Sequence, residues 1–263
     1  MWPPAAPARH TVRMEDPLQM LIALAVVGML GRAAKPAWHN RLLATAVWRR
    51  IRLHHVLGCL VLLAVVLGTA LGLMRLVPLT GWGLGRVVGL DGNAVFAPLQ
   101  EASQVAEEFR APAPGVPAAP VPGTDWVQVG LAGGFLGLLL LLFPWLAYVE
   151  ERMFRSGLED ADLRGELRAA LRFGVVHLLM FIPIAAAIGI GVAGFAYGRI
   201  YRRAYRLALG RPPEFESPFG PRRIIETPAR RARTEAVLAT TVWHTTFNSL
   251  IVMIVLGGFV LAG

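Results

Sequence analysis

Residues Trp126–Val149 form a run of 24 residues without one Asp, Glu, Lys or Arg. A helix of that length crosses the roughly 30 Å hydrocarbon layer of a bilayer. The run ends on two adjacent acids, Glu150 and Glu151, with Arg155 four residues after the second. A charge held in hydrocarbon costs about 2.5–3.5 kcal/mol or more, so groups elsewhere in the chain must satisfy these carboxylates.

Composition agrees with a membrane solvent. The 263 residues are 55% hydrophobic and only 16% charged, with a mean hydropathy of +0.54. A soluble domain carries about 25% charged residues. The net charge is +9, but the basic residues, nearly all arginine, lie between apolar runs and not on a hydrophilic domain. They read as topological charge and give no reason to expect a nucleic-acid partner. Cys59 is the one cysteine; it sits in an apolar run as a packing residue and has no internal disulfide partner.

Six apolar segments are predicted: Leu18–Gly31, Val56–Leu79, Trp126–Val149, Leu163–Phe181, Ile184–Arg203 and Ala236–Leu261. The first is only 14 residues long, a length that suits a short span, a re-entrant piece or a signal core; flanking Glu15, Asp16 and the arginines after it favour a retained span. The fourth should break near Pro183. Arginines crowd residues 32–55, 150–172 and 207–233, whereas residues 80–125 hold only Arg86 and Arg110. Six spans make rich and poor loops alternate, which places the rich loops in the cytoplasm and both termini outside. The expected fold is an all-α polytopic transmembrane helical bundle of about six spans, with up to eight helices if short or re-entrant pieces are included. It divides into N-terminal transmembrane helices at 1–79, an exterior Pro-rich loop at 80–125 and a C-terminal transmembrane domain at 126–263. Within that loop, residues 94–110 are expected as a surface helix and 111–123 as an extended linker. Residues 210–233 are expected as a cytoplasmic loop.

Three polar clusters interrupt the C-terminal apolar segments. On a helix, Glu151 and Arg155 share a face and can pair. Glu150 points about 100° away, has Phe154 at the corresponding position, and is left to face a cavity. A carboxylate partly withdrawn from water makes a better base. His177 follows Phe173 by one turn, so aromatic packing would restrict its ring. His244 and Asn248 share a face of the last segment and can both point into one cavity. Each cluster alone also suits interfacial charge or polar contacts between helices.

Taken in order, EERMFR, FGVVH and HTTFN match Glu-Glu-x-x-x-Arg, Phe-x-x-x-His and His-x-x-x-Asn/Asp. The chain therefore resembles the CPBP intramembrane proteases, the type II CAAX prenyl endopeptidase and bacteriocin-processing family, over about residues 140–255. Ser156-Gly157 stands where many members have glycine directly. The resemblance implies an intramembrane endopeptidase acting on membrane-associated proteins or peptides in the cytoplasmic membrane. It implies that Glu150 activates water with His177, that His244 and Asn248 stabilise the oxyanion, and that Glu151, Arg155 and Phe173 support them. The cofactor stays open between none and one divalent metal such as zinc on Glu150, His177 and His244. The absence of an HExxH pair favours glutamate-activated water. Two other classes fit the same polar residues: a non-catalytic membrane scaffold or immunity protein, and a proton-coupled transporter. The latter is disfavoured by the lack of internal repeats. The remaining histidines, His10, His39, His54 and His55, are assigned no role.

Overall fold

The structure is a computed structural model that describes residues 17–87, 93–99, 126–210 and 227–262. The expected exterior linker at 111–123, most of the expected surface helix at 94–110 and the greater part of the 210–233 segment lie outside the described residues. The described helices are α1 (Pro17–His39), α2 (Arg41–Arg50), α3 (Leu53–Leu76), the short α4 (Leu84–Val87), α5 (Trp126–Arg155), α6 (Leu163–His177), α7 (Ile184–Leu209) and α8 (Pro228–Ala262). The protein is all-α, and the described residues contain no strand beyond an isolated bridge between Gly83 and Pro183.

Five of these helices, α1, α3, α5, α7 and α8, are long and apolar enough to cross a membrane. Their outer faces carry large apolar side chains, including Leu21, Leu24, Val61, Leu71 and Leu141. Apolar exposure of this extent is matched to lipid and not to water. The short first segment read from sequence continues as one helix through Arg32 and Lys35 to His39, so it has full spanning length. Part of the expected arginine-rich loop at 32–55 is helical as well. In α2, Leu43 and Val47 are buried against Leu238 and Val242 of α8 and against Trp145 and Tyr148 of α5.

The expected fourth span differs. Residues Leu163–His177 form a 15-residue helix whose Arg164, Glu166, Arg168 and Arg172 leave it outside the apolar set. Asp162 caps its start by accepting from the Gly165 N–H at 2.8 Å. A 3-10 turn at Leu178–Met180 and Phe181 in the left-handed region (φ 61°) end it, and Pro183 opens α7. This turn still reaches the far end of the bundle, because the Ile184 N–H donates to the Trp82 carbonyl just beyond α3 at 2.9 Å.

Contacts sort the loops into two ends. Arg50 pairs with Glu235 at 3.2 Å. Glu159, between α5 and α6, accepts from Tyr201 at 2.8 Å and pairs with Arg233. The arginine-rich segments thus share one end, while Trp82, Gly83 and Pro183 mark the arginine-poor end. Glu166, almost fully buried on α6, is held by Arg199 at 2.9 Å and by Arg202, both from α7.

Helix α8 is the central post and packs on α3, α5 and α7, while α6 runs along α7 and touches α5 only briefly. Two glycines set the α6–α7 distance. A Cβ on Gly174 would lie 2.5 Å from the Ala187 carbonyl oxygen, and one on Gly194 would lie 2.8 Å from Phe173. Small residues permit this backbone approach, which in lipid substitutes for the missing hydrophobic drive between helices.

Candidate active site

All three sequence clusters meet where α5, α6 and α8 converge. On α5, Nε of Arg155 donates to Oε2 of Glu151 at 3.0 Å, and both side chains are fully buried. The i,i+4 pairing anticipated from sequence therefore forms. Glu151 also does more than that: its Oε1 accepts from Nδ1 of His244 at 2.9 Å. One carboxylate thus joins α5 to α8 and fixes the ring, an arrangement in which Nε2 becomes the free edge of the imidazole.

His177 is fixed differently. Its Nδ1 lies 2.7 Å from the Phe173 carbonyl oxygen one turn back. A carbonyl only accepts, so Nδ1 carries the proton and Nε2 faces outward. Phe173 lies beneath both histidines, with ring centroids 4.7 Å from His177 and 5.7 Å from His244. The Arg155 guanidinium stands 4.7 Å over the same ring. Its two terminal nitrogens are buried without hydrogen-bond acceptors, and the ring face supplies part of the missing electrostatic stabilisation.

Glu150 is turned away from Glu151 towards these outward edges. Its Oε2 lies 3.8 Å from Nε2 of His244 and 4.0 Å from Nε2 of His177. That oxygen is buried without a direct hydrogen-bond partner, although the side chain as a whole is 35% exposed. The three residues read as the reactive core are therefore brought together. Asn248 is half-buried one turn after His244, and the contacts that join the other residues do not extend to it.

Tyr197 was not legible as a site residue. It comes from α7, is 1% exposed, and stacks on His244 with centroids 5.1 Å apart and planes 25° from parallel. Its hydroxyl is buried without a partner. A tyrosine inside an apolar glycine-rich run carries no spacing signal that ties it to a histidine 47 residues later.

The donor types suit zinc, but the spacing is wide. Among the described residues no group of three His, Cys, Asp or Glu is gathered to hold a metal. Tetrahedral zinc with bonds of about 2.0–2.1 Å sets ligand atoms roughly 3.3 Å apart, less than the 3.8 and 4.0 Å seen here. As placed, the residues do not fit the metal, and no chemical step is assigned to one.

Comparison of the chain with protein-family profiles, with curated proteins and with solved structures finds no match.

Proposed function

We propose that the protein is an intramembrane endopeptidase in which Glu150 activates water to hydrolyse a peptide bond of a membrane-associated substrate. The observation that carries this reading is the separation of Glu150 Oε2 from the two imidazole Nε2 atoms, 3.8 and 4.0 Å. These gaps exceed a direct hydrogen bond. They approach the ~4.4 Å between two acceptors that share one water molecule, and a bridging water is held there almost as well as by direct contact.

A water so held lies between a carboxylate base and an imidazole. Glu150 takes its proton as the oxygen attacks the substrate carbonyl, and the tetrahedral intermediate carries the charge as an oxyanion. Nε2 of His244, when it carries a proton, donates to that oxygen from a ring fixed by Glu151 and Tyr197. A single preorganised donor of this kind is worth about 10²–10³ in rate. Collapse of the intermediate breaks the C–N bond, and the proton on Glu150 passes to the leaving amine. The family resemblance of EERMFR, FGVVH and HTTFN supports the same assignment and adds Asn248 as a second oxyanion donor. Helices α5 and α6 touch only briefly, which suits a substrate arriving between them from the bilayer.

Membranes from cells producing the protein or its Glu150→Gln variant at equal levels distinguish this reading from a scaffold or transporter. New protein termini that appear only with the unaltered protein support hydrolysis. Identical sets of termini remove it.

A further inference from the structure

A groove of about 300 Å³ lies at the arginine-rich end, between the last turn of α5 and the first turns of α6. Met153, Phe154 and Gly157 form one wall, and Gly165, Arg168 and Arg172 form the other. The α6 residues recur at helical spacing and so present one face. Arg168 and Arg172 are exposed, and neither joins any of the ion pairs that hold Glu151, Glu159 and Glu166. No acid lines the groove.

Its depth is informative. Helix α5, long and apolar enough to cross a membrane, ends at Arg155, so the groove lies at the arginine-rich end of that span, where headgroups are met. Beside it, Leu163, Leu167, Leu171 and Val175 form an exposed stripe along α6, and Met153 is exposed on α5. A ligand seated between the arginines would therefore be anionic at one end and flanked by apolar surface at the other.

We infer that this groove binds the headgroup phosphate of an anionic phospholipid, with Arg168 and Arg172 as its donors and the leucine stripe of α6 against its acyl chains. Guanidinium forks match phosphate oxygens in geometry and charge. The volume lies at the small end of the range for ligand sites, suited to a headgroup and not to a folded partner. The apolar flank favours a lipid over free phosphate, because a soluble anion gains nothing from it. The inference does not depend on the protein being a protease.

The test uses the full-length protein in nanodiscs of phosphatidylcholine alone, or with a minority of phosphatidylglycerol, followed by native mass spectrometry of retained lipid. The unaltered protein should retain phosphatidylglycerol over phosphatidylcholine. Arg168→Gln with Arg172→Gln should lower that preference by roughly thirtyfold, taking about 1 kcal/mol for each arginine at a charged surface. Arg164→Gln, on the same helix but outside the groove, should leave it intact. Thermal unfolding in phosphatidylcholine alone checks that the double variant is folded. Should it not fold, each single variant is expected to lose severalfold, and wild-type retention in both singles overturns the proposal. Equal loss in Arg164→Gln reduces the effect to general arginine attraction and also overturns it. Loss of the phosphatidylglycerol preference when inorganic phosphate is added assigns the site to a soluble anion, against the lipid.

Discussion

Nδ1 of His244 lies 2.9 Å from Oε1 of Glu151, a contact between residues 93 apart in the chain. The other oxygen of that carboxylate accepts from Arg155 at 3.0 Å. Glu151 thus works as a clasp: it offsets a buried guanidinium on its own helix and aims an imidazole on another.

Glu151→Gln should therefore cost both stability and turnover. The substitution leaves the Arg155 charge buried without its counter-ion, a loss of about 3–5 kcal/mol. Thermal or denaturant unfolding of the purified protein in detergent checks the value. A change below ~1 kcal/mol would mean that the clasp does not hold the helices.

Tyr197 separates packing from hydrogen bonding. Its hydroxyl has no partner, so Tyr197→Phe should keep the stack on His244 and alter stability by less than about 1 kcal/mol. Tyr197→Ala removes the ring beside the imidazole, and truncation of a buried aromatic costs about 3–5 kcal/mol. Turnover should follow the ring and not the hydroxyl. Equal inactivation by both changes would instead give the hydroxyl a direct role.

Gly194 tests whether the position of Phe173 governs the two histidines. Its Cβ would meet the Phe173 ring at 2.8 Å. Gly194→Val should push that ring towards His177 and His244, with an overpacking cost of about 1–3 kcal/mol. The expected result is a larger fall in turnover than in folded fraction, measured on the same preparation. A fully active Gly194→Val protein would show that the ring can move without consequence.

Acid should loosen the arginine-rich end before the bundle itself unfolds. Burial pushes the Glu159 carboxyl up, but its backbone hydrogen bond, the Tyr201 hydroxyl and Arg233 outweigh that effect and hold it below the ordinary carboxylate range. A depressed carboxylate adds stability above its unfolded pKa and loses it as pH falls through its folded pKa. Hydrogen exchange in the Arg155–Leu163 connection should accordingly rise as pH drops below the usual carboxylate range, with the exchange data corrected for intrinsic rate. Glu159→Gln should show the loosened exchange already at neutral pH.

Much of this was legible in the sequence because lipid imposes a blunt rule: apolar length decides what crosses. The runs that become α3, α5, α7 and α8 follow from that rule, and the pairing of Glu151 with Arg155 follows from helical spacing. Residues Leu163–Phe181 were less legible, because Arg164, Arg168 and Arg172 make α6 short and two-faced while its turn still reaches Trp82. The bond from Glu151 to His244 and the stack of Tyr197 on His244 are tertiary facts. No local period relates α5, α7 and α8, so spacing alone gave Glu151 a single partner. Glu166 likewise has no spacing that announces its partners, although it is buried and doubly paired across to α7.

If Glu150 delivers water to a peptide bond, the oxygen of that water is found in the product, and incorporation of solvent oxygen during a single cleavage reads it. The protein is reconstituted in liposomes with a substrate found from the comparison of termini, in water enriched in oxygen-18. One heavy oxygen should appear in each new C-terminal carboxylate, with a rate about 10²–10⁴-fold lower in Glu150→Gln. An unlabelled product, or undiminished cleavage by that variant, would contradict it.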